Sequence, residues 1–274
     1  VKGVAAHGHG RANTDAERTR EGALDGTTRL EITKAINNGL IEKFNGTVKE
    51  GKEAMVYHAL QGTESGGHDV AIKVFKRIQE FRNRGDYVTG DTRFTRKNFS
   101  KAGPREQLGM WTEKEYRNLI RAERSGVPVP KPLSYNDNVL FMRFLGEEGW
   151  PSPQLREIDI KKGSKKWTSL YEQTMEAVQL LYTKAHLVHG DLSEYNILVC
   201  PSKLMFDDPD DKEALQVALI DFGQAVNHKH PNAEKWLRRD LQRVQEFFER
   251  MGITCIGLEA AYHYVTTEGA PLRS

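Results

Sequence analysis

The sequence predicts an α+β chain in two lobes, a strand-rich N-terminal lobe and a helix-rich C-terminal lobe. Three observations predict it. Strand-like segments cluster between residues 45 and 144, around one long helical pattern; the two other long helical patterns, at about 167–187 and 232–250, follow them; and Gly146 with the Gly149–Pro153 segment separates the two as a hinge and linker. The chain of 274 residues suffices for two modest cores, and 38% hydrophobic with 28% charged residues is an ordinary globular balance. No stretch approaches 18 apolar residues, so no transmembrane helix and no membrane partner is expected. Residues 1–26 have no apolar core of the signal-peptide kind, and the chain begins at Val1 rather than Met, so it reads as a fragment. Cys200 and Cys255 alone make neither a disulfide framework nor a four-ligand zinc site, and a reducing compartment is the default.

Residues 1–26 are polar, rich in Gly, Ala and charge, and predict a disordered segment. From Thr28, apolar residues at Leu30, Ile32, Ile36, Leu40 and Ile41 predict a short amphipathic helix ending near Asn38-Gly39 or soon after. Residues 45–60 and 69–76 predict antiparallel strands joined through QGTESGG. Residues 104–125 predict a helix with Leu108, Trp111, Tyr116, Leu119 and Ile120 on its apolar face, broken by VPVPKP at 127–132. Strands follow at about 132–135 and 138–144, then at 197–200 and 216–220 in the second lobe. The lobes are assigned to residues 27–145 and 146–274.

Four elements carrying chemistry occur in a fixed order. The first is Gly46…Gly51-Lys52-Glu53-Ala54-Met55-Val56, where glycine in a strand–turn–strand lets backbone N–H groups approach phosphates. The second is Lys73 inside the apolar strand DVAIKVFK; a buried ammonium needs a carboxylate or phosphates. Glu113 and Glu115 both offer a carboxylate, and Glu115 is preferred because it shares a stripe with Trp111 and Leu119. The third is HGDLSEYN at 189–196, with the spacing of the phosphotransferase loop H-R-D-x-x-x-x-N, in which Asp191 would take or orient the proton of an attacking hydroxyl and Asn196 would bind magnesium. The fourth is Asp221, ending an apolar strand in LIDFG, where a carboxylate can bind Mg²⁺ bridging phosphates. Together they predict nucleotide-dependent phosphoryl transfer. The histidines form no metal-ligand pattern with the cysteines, and DDPDD at 207–211 reads as a solvated loop.

Only residues 222–274 follow Asp221, too few for an activation loop and the peptide-holding helices of a conventional protein kinase. Two kinase-like groups write HGD for HRD. The aminoglycoside and choline phosphotransferases are similar in H-G-D-x-x-x-x-N and I-D-F-G. The RIO family of atypical protein kinases resembles more of the chain, roughly residues 25–250, through GKEAMVYHA, AIKVFK, FRNRGDYVTGDTRF, WTEKEYRNLIRAERSGVPVPKP, LVHGDLSEYNIL and HPNAEKWLRRDLQRVQEFF. The resemblance implies a two-lobed protein-kinase-like fold with a trimmed helical lobe, in the branches without an N-terminal winged helix. It implies that Lys73 binds the α- and β-phosphates of ATP, that Met142 is the gatekeeper, and that the backbone of Arg143 and Leu145 meets adenine. It implies Asp191 as catalytic aspartate and Asn196 and Asp221 as ligands to Mg²⁺, with Mn²⁺ as an alternative. It further implies that Asp221 accepts phosphate, giving an aspartyl-phosphate intermediate and ATPase-like turnover. Two departures stand out: Lys49-Glu50 where the family often has Ser-Thr, and Phe222-Gly223 after the metal-binding Asp.

Residues 82–105 carry Arg82, Arg84, Arg93, Arg96, Lys97, Lys101 and Arg105 against Asp86 and Asp91. This basic segment reads as a loop contacting rRNA phosphates, as a site of autophosphorylation at Thr89, Thr92, Thr95 or Ser100, or as plain solvated surface. The resemblance implies work on the precursor of the small ribosomal subunit and its rRNA, in the cytoplasm with shuttling to the nucleus, and a monomer by default. A small-molecule phosphotransferase and a nucleotide-gated binding module with little catalysis are the alternatives.

Overall fold

A computed structural model of the chain describes residues 24–76, 85–88, 99, 101–207 and 209–272. The N-terminal lobe is a five-stranded antiparallel sheet in the order β1-β2-β3-β5-β4, formed by β1 (Ile41–Glu50), β2 (Ala54–Gln61), β3 (Val70–Phe75), β4 (Pro132–Asn136) and β5 (Val139–Arg143). Every residue of β3 is buried because both faces of the sheet are covered. Val70, Ile72 and Val74 pack with Met55, Tyr57 and Phe141 under α1 (Gly26–Asn37). The alternate residues Ala71, Lys73 and Phe75 therefore face the other way, toward α2 (Pro104–Arg124) and the gap between the lobes. The twofold period of the strand is what delivers Lys73 to the interior.

Helix α1 departs from its expected face. It starts at Gly26, N-capped by Asp25 through Thr28 N–H at 2.7 Å, and ends at Asn37; Ile41 opens β1 instead. Ile32 is buried, but Leu30 and Ile36 are exposed. The buried face runs through Thr28, Glu31, Ile32 and Ala35, and Glu31 is accommodated by hydrogen bonds from Asn136 (2.6 Å) and Lys34 (2.8 Å). A satisfied carboxylate thus takes the place that periodicity assigned to leucine.

The expected linker is a hairpin, β6 (Gly146–Glu147) with β7 (Trp150–Pro151), closed by Ser152 N–H on the Leu145 carbonyl at 2.9 Å. The second lobe packs α3 (Lys165–Thr183) against α5 (Ala233–Arg250) and α6 (Leu258–Thr266) around Trp167, Tyr171, Phe247 and Phe248. Helix α3 stops at Thr183, short of the expected 187, where β8 (Leu187–Val188) begins. A hairpin of β9 (Ile197–Pro201) and β10 (Leu215–Leu219), spanned by the one-turn α4 (Ser202–Met205), and the short pair of β8 with β11 (Val226–Asn227) complete it. Asp207 is exposed yet pairs with Arg143 at 2.8 Å and His68 at 3.4 Å, so DDPDD is not merely solvated. No helix among the described residues is long and apolar enough to cross a membrane.

Candidate active site

The lobes enclose a cleft of about 790 Å³, within the size range of small-molecule sites. Gly51, Lys52, Glu53, Val56, Lys73, Glu115, Met142, Arg143, Leu145, Asp191 and Asp221 all line it. Gly46 does not; it sits inside β1, and Val48 and Lys49 border the cleft instead. Gly51 opens the β1–β2 turn, with its N–H on the Ala54 carbonyl at 2.9 Å. At the hinge, Arg143 N–H donates to Lys131 and the Leu145 carbonyl accepts from Ser152, so these two backbone groups are engaged within the chain. The Arg143 guanidinium turns away to Met205 O and Asp207.

Lys73 Nζ donates to both Glu115 oxygens, at 2.8 and 3.0 Å, and also to Asp221 Oδ1. Glu113 points elsewhere and pairs with Arg117 at 2.6 Å. Burial works against the ammonium, but the charges of Asp221 and Glu115 outweigh it and raise its pKa. Burial raises the pKa of Glu115, with Lys73 opposing. Burial also acts upward on Asp221, but the Lys73 charge and hydrogen bond prevail and hold that carboxylate below its ordinary range. Lys73 and Glu115 side chains are 10% and 2% exposed, whereas Asp221 is 48% exposed, so Asp221 is the member of the cluster most open to the cleft.

The β9–β10 hairpin places the metal-binding candidates. Leu219 pairs with Ile197, and Ile220 N–H donates to the Asn196 carbonyl at 3.0 Å, so the chain leaving β10 passes directly beside Asn196. Asn196 Nδ2 donates to the Asp191 carbonyl at 2.7 Å, which leaves Oδ1, the metal-binding end of the amide, without a hydrogen bond to another described residue. Asn196 itself borders an adjoining hollow of about 490 Å³ that shares Asp191 and Tyr195 with the main cleft. The Asp191 carboxylate accepts from Arg243 at 3.2 Å.

The β8–β11 pairing explains HGD. Gly190 has φ +79°, and a Cβ there would stand 2.9 Å from the Gln224 carbonyl oxygen, so neither the backbone nor the space admits a side chain. The loop is fixed from α5: Asp240 accepts from Gly190 N–H (2.8 Å) and Leu192 N–H (3.1 Å), and Arg239 donates to the Gly190 carbonyl. Burial pushes Asp240 up to about 7 despite those two donors. His189 is buried against Phe222, 5.0 Å between rings, and bonds the Ile220 carbonyl at 2.8 Å; burial lowers its pKa, favouring the neutral ring.

Asp240, Arg239, Arg243, Lys114 and Asn118 were not singled out from sequence. A signal existed for Asp240: it stands four residues from both Trp236 and Val244 on the apolar stripe of α5. Lys114 and Asn118 likewise flank Glu115 on the buried face of α2. Thr89, Thr92, Thr95 and Ser100 lie outside the described residues.

Residues 55–261 match the model of the RIO domain. The chain belongs to the RIO domain family. Among curated RIO relatives it is 39% identical over 254 residues to serine/threonine-protein kinase rio1 of Schizosaccharomyces pombe, covering 92% of this chain and 47% of that protein. It is 38% identical over 244 residues to human serine/threonine-protein kinase RIO3, covering 86% and 44%, and 35% identical over 249 residues to human RIO1, covering 90% and 40%. The chain thus spans somewhat under half the length of these relatives. The solved Rio2 kinase–ADP/Mg²⁺–phosphoaspartate complex of Chaetomium thermophilum superposes with a TM-score of 0.61 at 23% identity, over 88% of this chain and 67% of that one, which shows the two-lobed kinase-like fold.

The RIO cleft suits magnesium and a nucleotide. Asn196 Oδ1 and the Asp221 carboxylate are hard oxygen donors of the number Mg²⁺ takes alongside phosphates, and Mn²⁺ accepts the same set. Val56, Ala71, Met142, Leu145 and Leu198 supply an apolar lining that suits a base, and Lys49, Lys52 and Lys73 supply cations that suit phosphates.

Proposed function

We propose that this RIO domain is an ATP-dependent serine/threonine phosphotransferase with ATPase turnover. The observation that carries the reading is the convergence of Lys73–Glu115, Asp191 and Asp221 on one cleft that also offers an apolar berth, with Asn196 bonded to Asp191 in the adjoining hollow. Lys73, held by Glu115, grips the α- and β-phosphates. Asn196 and Asp221 would hold magnesium, which when bound would neutralise phosphate charge. Asp191, half exposed beside Arg243, takes the proton of the incoming hydroxyl or water.

Asp221 has a second role in this reading. Its ionised oxygen attacks the γ-phosphorus, the bond to the β–γ bridging oxygen breaks, and ADP leaves with that electron pair. Water, its proton going to Asp191, then releases inorganic phosphate and restores the carboxylate. The low pKa and half exposure of Asp221 support the nucleophile. We further propose action on precursor small ribosomal subunits and their rRNA, in the cytoplasm with nuclear shuttling. The support is family membership and the basic residues of 82–105, among which Thr89, Thr92, Thr95 and Ser100 are acceptor candidates.

The test is incubation with γ-labelled ATP and Mg²⁺, followed by hydroxylamine. Label on Asp221 is an acyl phosphate and is released, whereas label on Ser or Thr persists. Asp221→Asn removes the labile label and Asp191→Ala slows its turnover. If both variants label and hydrolyse as wild type does, the site assignment fails. Co-sedimentation with small-subunit precursors tests the partner.

A further inference from the structure

Helix α2 carries a buried cation that the proposed chemistry does not use. Lys114 is 2% exposed, and its Nζ donates to the carbonyls of Gly223 and Ala225, both at 2.6 Å, while lying 5.0 Å from the Trp111 ring centre. One helical turn on, the equally buried Asn118 donates through Nδ2 to the carbonyls of Phe222 (3.1 Å) and Ala225 (3.0 Å). Trp111 closes the same surface: a Cβ on Gly223 would come within 2.7 Å of its Nε1. Taking an ammonium out of water is costly, so its placement on two backbone carbonyls calls for an explanation.

The carbonyls it and Asn118 gather belong to the turn immediately after Asp221. That aspartate has φ 65° and ψ 66°, a left-handed conformation that is unfavourable for a residue with a Cβ. Such a conformation persists only where its surroundings over-determine it. Here the surroundings are α2: Lys114 and Asn118 hold the carbonyls of 222, 223 and 225, and Glu115 holds Lys73, which bonds Asp221 itself. We propose that Lys114 and Asn118 are positioning residues for the metal ligand Asp221, keeping its turn in the one conformation that presents the carboxylate to the cleft. The inference rests on the magnesium–nucleotide reading of that cleft. It makes α2 a single rod carrying both the phosphate-binding lysine's partner and the metal ligand's anchor.

The test measures binding rather than turnover. ADP affinity is titrated with and without Mg²⁺ for wild type, Lys114→Met and Asn118→Ala, with thermal unfolding alongside. In wild type, Mg²⁺ tightens ADP binding. In Lys114→Met, affinity without metal stays within about twofold of wild type while the gain from Mg²⁺ shrinks roughly tenfold, the equivalent of 1.4 kcal/mol. Asn118→Ala shrinks the gain roughly threefold. A folded Lys114→Met that keeps the full gain overturns the proposal, whatever its melting temperature. If Lys114→Met does not fold, Asn118→Ala decides alone by the same readout. A wild type whose ADP binding ignores Mg²⁺ sinks the nucleotide reading itself, a result distinct from a variant that behaves like wild type.

Discussion

The two carboxylates at the heart of the cleft are held from opposite lobes. Asp191 belongs to a loop fixed by α5, through Asp240 and Arg239 on its backbone and Arg243 on its side chain. Asp221 belongs to a turn fixed by α2, through Lys114 and Asn118 on its backbone and Lys73 on its side chain. The supports also differ in kind. The backbone supports Lys114, Asn118 and Asp240 are all buried, but of the side-chain supports Lys73 is buried whereas Arg243 is 41% exposed. Screening leaves a pair like Arg243–Asp191 worth little for stability, while a buried cluster is costly to break. The Asp221 side chain is therefore the more rigidly held, and the Asp191 side chain the more adjustable.

The most forceful way to break this contrast is Lys73→Met. It strands the buried Glu115 carboxylate beside the half-exposed Asp221, and the domain loses about 3 kcal/mol in urea unfolding, the usual cost of removing one partner of a buried ion pair. Adding Glu115→Gln recovers a large part of that loss without restoring turnover. An unchanged midpoint for Lys73→Met would mean that the buried cluster is no stronger than its exposed counterpart.

A subtler change sharpens the other side. The Asp240 carboxyl is neutral in both states below its unfolded value of about 4. Between there and its folded value of about 7 the native state retains a proton that the unfolded chain has released, so stability falls as pH rises through that window. Asp240→Asn cannot titrate. Relative to it, wild type loses up to about 1.4 kcal/mol per pH unit between pH 5 and 7. Urea midpoints across that range check it, and a constant difference between the two proteins refutes the assignment. The smallest stability effect is that of Arg243→Gln, within about 0.5 kcal/mol. Its turnover drops roughly tenfold with nucleotide affinity unchanged, a 1.4 kcal/mol change in the barrier alone.

Both halves of this comparison were partly legible in the sequence. Lys73, Glu115, Asp191 and Asp221 line one cleft; periodicity fixes the direction of Lys73 in its strand and of Glu115 on its helix, whereas Asp191 and Asp221 sit on a loop and a turn that only the motif spacing marks. The supports were not legible, since a lysine or asparagine on a helix reads as solvated until its partner is known. The partners of Lys114 are carbonyls of residues more than a hundred positions away. Helix α1 forms where expected, but its buried face was not legible for a related reason: Glu31 is buried because Asn136 reaches it, which no local pattern encodes. The β6–β7 hairpin has two-residue strands, too short for any period, and Gly146 there has a Cβ position only 2.1 Å from the Trp150 carbonyl oxygen.

Phe222 shows what such anchoring means for ligand discovery. Its side chain is wholly buried against His189, its carbonyl is bonded by Asn118, and the residue after it has no room for a methyl group beside Trp111. An inhibitor that gains potency by displacing this phenyl ring and occupying its place would have to uproot the α2 contacts at the same time. Selective compounds for this domain are better sought among those that match the cleft in its standing shape, using the apolar berth and the paired carboxylates as they lie.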